Sequence, residues 1–175
     1  MKSTLRMIIW LLMLGGGIWG GFILDARWFP GIHHLLWFHI LSFLIGIVVL
    51  KGVMTVSRNT GRTLAKYGRK GELPRMETNQ LVKEGPYRYM RHPMHLGLLF
   101  FPFAFAFLVG SPAFILVIAP AEAVLMLLLI RWVEEPEAIR KFGDEYRKYQ
   151  QQVPWFCIRK ECLNTLFRKV EKNIR

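Results

Sequence analysis

"GPYRYMRHPMHLG", residues 85–97, decides the reading of this chain. Arginines, tyrosines and two histidines crowd against a proline, and the uncharged run "LLFFPFAFAFLVG" (98–110) begins at once. A second polar cluster, "RWVEEPE" (131–137), directly follows another apolar run. If the two runs form a hairpin, the clusters end at the same depth and face each other.

The composition sets the setting for such a hairpin. The chain has 175 residues, 53% of them apolar and 14% aromatic, with several long uncharged segments. That is the composition of an integral membrane protein, and the length suits one membrane domain over residues 1–175. A formal charge of +12 would suggest nucleic acid in a soluble chain. Here the basic residues flank apolar runs, so orientation in a membrane and contact with anionic headgroups account for them, and no nucleic-acid partner is expected. Cys157 and Cys162 fit neither a zinc framework nor a secreted disulfide scaffold, and read as free thiols in a reducing compartment. No internal repeat or low-complexity tract is present.

Four segments are long enough to suggest spans: about 7–24, 35–56, 94–109 and 113–130. The third is short and contains Pro102, which a kinked or partly buried membrane helix tolerates. A signal peptide is the alternative for the first, but "WGGFILDARW" (19–28) offers no small-x-small cleavage site. Of the 24 Lys and Arg, 22 lie before the first span, in the 57–93 link, or from Arg131 onward; Arg27 and Lys51 are the others. The positive-inside rule therefore places both ends and the link in the cytoplasm.

The fold expected is all-α and membrane-integral: about four transmembrane helices, a hairpin of the third and fourth, and a cytoplasmic C-terminal helix within the 131–175 tail. Pro93 suits the first turn of a helix, where a missing N–H costs nothing. The free N–H groups and dipole there favour an anionic group. The returning helix offers carboxylates, which favour a cationic or hydroxyl-rich group. A pocket with those two lips, bordering lipid, suits a zwitterionic cofactor carrying a sulfonium.

At these residues the chain resembles the isoprenylcysteine carboxyl methyltransferase and phospholipid methyltransferase group of small integral membrane enzymes. The group's pattern is roughly L-V-x-x-G-x-Y, R-H-P-x-Y-x-G, a hydrophobic hairpin, E-E, then F-G-x-x-Y-x-x-Y-x-x-x-V-P. The chain reads "LVKEGPYRYMRHPMHLG" (81–97), then "EEPEAIRKFGDEYRKYQQQVP" (134–154), so the likeness runs over about 79–156. It implies methyl transfer from S-adenosyl-L-methionine to a lipid-like acceptor of the isoprenylcysteine carboxylate type, or to a phospholipid amine, at the cytoplasmic face of a bacterial inner membrane or the endoplasmic reticulum. Carried over by position, it assigns cofactor binding to Gln80, Leu81, Val82, Tyr87, His92, Pro93, Met94, His95 and Glu134. Arg131 is the nearest candidate for the arginine that orients the acceptor. The chain departs from the pattern at His95, where the group has tyrosine, and at "VPWF" (153–156), where many relatives carry a basic residue after the proline.

Other readings of the same residues stand beside this one. His92 and His95 are metal-ligand types three residues apart, but no third ligand is spaced for them, and no metal is expected. The arginines around the RHP triplet could bind lipid phosphates alone. Glu134 and Glu135 could be a solvated helix end, although negative charge there opposes the dipole. Phe142, Tyr146 and Tyr149 form a stripe that reads as packing or interfacial anchoring. His33, His34 and His39 read as interfacial or packing residues. Glu122 lies mid-span in "IAPAEAVLML" (118–127), where an ionised carboxylate costs about 2.5–3.5 kcal/mol on insertion scales, so it either lines an acceptor tunnel or bonds to another helix.

The chemistry narrows the roles further. A sulfonium methyl is already activated, so the protein mainly aligns the reactants. A carboxylate acceptor needs no base; an amine must lose a proton, and Glu135 or His95 is then the candidate base. The competing functions are an NADPH-using membrane reductase of the sterol reductase type and a non-catalytic membrane subunit.

Overall fold

The computed structural model describes residues 3–32, 35–72 and 78–168, so His33 and His34 lie outside the described residues. Every regular element among the described residues is helical. In chain order these are α1 (Ser3–Trp28), α2 (Leu36–Tyr67), a 3₁₀ turn (Gly85–Arg88), α3 (Pro93–Leu98) and α4 (Phe101–Val109). A π-helical turn (Phe114–Ile118), α5 (Ala119–Leu129), a second π turn (Ile130–Glu134), α6 (Glu135–Gln152) and α7 (Lys160–Phe167) follow.

Among the described residues, three helical runs are long and apolar enough to cross a membrane: Ile8–Trp28, Leu36–Tyr67 and Phe114–Gln152. At 1.5 Å per residue, the 21 residues of the first reach about 30 Å, the thickness of a hydrocarbon core. Large apolar side chains stand exposed along them, Leu12 at 69%, Trp37 at 82% and Val48 at 70% among them. Such faces are a liability in water and ordinary contacts in lipid. The expected third span differs from an unbroken helix: the apolar run Pro93–Val109 is shorter than the other three and divides into α3 and α4. Pro102 sits in the first turn of α4, where it is tolerated; one turn earlier its ring would oppose the carbonyl of residue 98. The expected fourth span continues into the tail through the π turn at Ile130–Glu134, and α6 kinks at Gly143, whose φ is 57°.

The chain forms two compact units: Met1–Val53 with Leu99–Leu128, and Met54–Leu98 with Leu129–Arg175. In the first, Ala106, Phe114 and Ala119 form the core, with Ile18, Phe103 and Phe105 packed around them. α1 approaches closely because Gly17 lies under the Phe114 ring; a Cβ there would stand 2.6 Å from it. Asp25, 1% exposed, accepts the Ala113 N–H at 2.7 Å and so caps a helix start from α1. Gly110 ends α4 in the left-handed region (φ 69°) and donates its N–H back to the Ala106 carbonyl. Glu122 belongs to this unit. It is buried beside Gly17, and its Oε2 has no hydrogen-bond partner among the described residues.

In the second unit α2 turns a polar but buried face inward. Thr60 and Thr63 hydrogen-bond to carbonyls four residues back in their own helix, which lets their hydroxyls be buried. Asn59 donates to the Leu166 carbonyl at 2.9 Å, satisfying one of the last carbonyls of α7. Val56, Met90, Cys162 and Leu166 form the apolar core beneath. The cysteines are not free thiols, as their spacing suggested: Cys157 and Cys162 are joined by a disulfide. The chain turns into α7 between them and brings their Cα atoms to 5.9 Å, within the reach of a disulfide.

Candidate functional site

Arg91 and His92 enter the site at the start of α3. The segment after α6 holds their backbone: the Arg91 N–H donates to the Pro154 carbonyl at 2.9 Å and the His92 N–H to the Trp155 carbonyl at 3.2 Å. The Arg91 guanidinium faces inward. Its Nη1 donates at 2.8 Å to the carbonyls of Gln150 and Val153, unpaired acceptors at the end of α6. Its Nε and Nη2 lie 3.1 and 3.3 Å from the two oxygens of Glu135.

Glu135 is the hub. It is 6% exposed and accepts from Arg91, from His92 Nε2 at 2.6 Å, from the Tyr146 hydroxyl at 2.8 Å and from the Gln150 amide. A buried carboxylate is stable when it is paired and its lone pairs are filled, and this one meets both conditions. The "RYMRHP" and "RWVEEPE" clusters thus meet. The Tyr149 hydroxyl donates to the Tyr87 carbonyl and fixes the turn before Arg91.

Beside this hub lies a cavity of about 160 Å³. Eight of the residues singled out from the sequence line it: Gln80, Leu81, Val82, Tyr87, His92, Met94, His95 and Glu134. Pro93 is buried and is not in the lining. Glu135 lies behind His92 and is not in the lining. Arg131 is exposed and does not line the cavity, nor does Glu122 of the first unit. Phe142, Tyr146 and Tyr149, read from their spacing as packing residues, are cavity wall. Arg91, for which binding lipid phosphate was the alternative reading, is spent on internal bonds, whereas Arg88 is exposed.

Sequence reasoning missed Thr78, Leu64 and the anchoring of the 78–82 segment. Asn79 makes that anchor with its side chain, accepting the Lys70 N–H and donating to the Lys70 carbonyl, both at 2.8 Å. No motif marked Asn79; the only signal was an Asn next to a cluster of lining residues.

Tyr87 carries the clearest unmet demand. It is 7% exposed, it lines the cavity, and its hydroxyl has no hydrogen-bond partner among the described residues. Burial, with Tyr149 beside it, pushes that hydroxyl above its ordinary range, so it stays a neutral phenol able to donate. A buried hydroxyl without a partner costs about 1–3 kcal/mol, which a ligand acceptor recovers. Among the described residues no cluster of three His, Cys, Asp or Glu is arranged to hold a metal.

Long apolar helices with exposed apolar faces, and a largely apolar, aromatic-walled cavity edged by His92, His95 and Glu134, are the features of an integral membrane protein. Residues 35–145 match the phospholipid methyltransferase family model, so the chain belongs to that family. It is 23% identical over 142 residues to a protein-S-isoprenylcysteine O-methyltransferase of Tribolium castaneum, covering 77% of this chain and 47% of that one. It is 28% identical over 137 residues to protein-S-isoprenylcysteine O-methyltransferase B of Arabidopsis thaliana, covering 76% and 66%. The match thus spans about half to two-thirds of the length of these relatives.

Proposed function

We propose that this chain is an S-adenosyl-L-methionine-dependent methyltransferase acting on a lipid-like acceptor at the cytoplasmic face of a membrane. Family membership and the names of the relatives support methyl transfer. The observation that carries the reading is the cavity in which Tyr87, His92, Met94, His95 and Glu134 converge, with an unpartnered buried hydroxyl on its wall.

The residues present suit the methyl donor. The Tyr87 hydroxyl and Gln80 offer hydrogen bonds, and Tyr146, Phe142 and His95 offer flat surfaces for a nucleoside or a sulfonium. Glu134, one residue before the hub, supplies negative charge to the lining. The donor brings an activated methyl group; the chain supplies binding, alignment and shielding from water. The Arg91–Glu135 pair keeps its charges turned inward and holds His92 and α6 at fixed separation. Leu64, Leu81 and Val82 give the cavity its apolar side.

The relatives' names suggest an isoprenylcysteine carboxylate as acceptor, and the family description suggests a phospholipid. Purified protein in detergent, titrated with S-adenosylmethionine and separately with NADPH, tests the reading. Saturable binding of the first alone is expected. Preference for NADPH would favour the reductase alternative, and binding of neither a non-catalytic subunit.

A further inference from the structure

We propose that the Cys157–Cys162 disulfide is a redox switch: a small thiol opens it, and opening loosens the segment that holds the backbone of Arg91 and His92. The inference goes beyond the methyltransferase reading and rests on it only for the ligand whose binding the switch controls. On the orientation proposed above the bridge faces the cytoplasm, where thiols keep most disulfides reduced and a bridge is ordinarily transient or redox-sensing.

The bridge ties one wall of the cavity to the rest of its unit. Residues 153–159 run from α6 to α7 without regular structure. Within them the Pro154 and Trp155 carbonyls accept the Arg91 and His92 N–H groups at 2.9 and 3.2 Å. The Trp155 and Phe156 rings stand 6.2 and 6.4 Å from the ring of His92, which lines the cavity. Cys157 is the next residue, and the bridge carries the segment to Cys162 in α7. α7 is anchored in turn. Cys162 and Leu166 belong to the buried apolar cluster with Val56 and Met90, and Asn59 of α2 donates to the Leu166 carbonyl. The bridge is thus a covalent link from a fixed helix to a segment otherwise held by hydrogen bonds and apolar contacts. Its cysteines are five apart in sequence, so the closed loop is short and opening acts locally more than on global stability.

Access and charge set the direction of attack. Cys157 is part-exposed and Cys162 is buried, so an incoming thiolate meets the Cys157 sulfur. Cys162 leaves as a thiolate from the first turn of α7. Free N–H groups there favour negative charge, and so do the exposed Arg159 and Lys160, against Glu161 alone. The attacking sulfur bonds to Cys157 as the Cys157–Cys162 bond breaks. A second thiol attacks that mixed disulfide, which frees Cys157 and joins the two small thiols as their own disulfide. The protons of the two thiols end on the two cysteines, and two electrons have passed to the protein.

The test uses the full chain in detergent, poised in mixtures of reduced and oxidised glutathione. Maleimide labelling with mass spectrometry reads the bridge, hydrogen–deuterium exchange reads the Arg91 and His92 amides, and titration with S-adenosylmethionine reads the cavity. Excess reduced glutathione should open the bridge in the folded protein, speed exchange at the two amides about tenfold or more and weaken S-adenosylmethionine binding about tenfold, while α1 exchanges as before. Oxidised glutathione should reverse all three changes. Cys157→Ala with Cys162→Ala should match the reduced form and ignore glutathione; if that variant does not fold, the reduced wild type decides. Cysteines free in every mixture, or a bridge that opens only on unfolding, overturn the proposal. So does an open bridge with unchanged amides or unchanged affinity, or one that loosens α1 equally. Faster exchange at the amides with no S-adenosylmethionine binding in either state sinks the methyltransferase reading and leaves the link between bridge and amides standing.

Discussion

His92 Nε2 lies 2.6 Å from Oε1 of Glu135, and Arg91 closes on the same carboxylate with two further bonds. Residues 43 apart in sequence thereby form one buried hydrogen-bonded unit. Glu135→Gln keeps the shape and removes the charge that balances Arg91. Removing one partner of a buried pair costs about 3–5 kcal/mol, and the retained amide places this variant near the lower end. Arg91→Met with Glu135→Leu should recover part of that loss, since neither charge is left alone. Denaturant unfolding in detergent checks both variants. A double variant as unstable as the sum of its parts would show that the two residues act separately.

Tyr87→Phe separates binding from stability. The hydroxyl is buried without a partner among the described residues, so its removal should leave the fold as stable or slightly more so. Affinity for S-adenosylmethionine should fall about tenfold, which corresponds to 1.4 kcal/mol. Calorimetric titration of variant and wild type measures the ratio. Unchanged affinity would take Tyr87 out of the ligand's contacts.

His95 tests the resemblance at its main departure. Its ring stands 5.5 Å from that of His92 and lines the cavity. His95→Tyr restores the aromatic of the wider group and should be tolerated, while His95→Ala should bind the cofactor more weakly. A metal site predicts both variants dead and activity abolished by chelator. Tyrosine inactive with alanine active would mean that His95 does not occupy the wall.

Two neighbouring glycines test the first unit. Gly17→Ala places a methyl 2.6 Å from the Phe114 ring and should cost about 1–3 kcal/mol. Gly16→Ala meets nothing within 4 Å and should be neutral or slightly stabilising. Thermal melts in one detergent give the comparison; equal effects would contradict the α1 packing.

Much of this was written in local sequence. Apolar runs gave the membrane helices, because only a helix satisfies its own backbone in lipid. The RHP triplet and the acidic pair gave the meeting point, and eight lining residues followed from motif position. The rest depended on which way side chains turn. Glu135 read as a candidate base, but it is buried against Arg91 and His92 and stays out of the cavity lining. Tyr146 and Tyr149 read as packing because spacing gives a helix face and not what that face meets. The disulfide needed the turn into α7, which no pattern announced. Pro102 was legible as an interruption, yet the break falls before it, where the ring would meet a carbonyl.

The central claim is methyl transfer to lipid. Wild-type protein in liposomes, incubated with methyl-labelled S-adenosylmethionine and a membrane lipid extract, gives the direct measurement. Label should enter the organic-soluble fraction, and Tyr87→Phe should slow its entry at limiting cofactor. Tight binding of the donor with no label in any lipid would contradict the account.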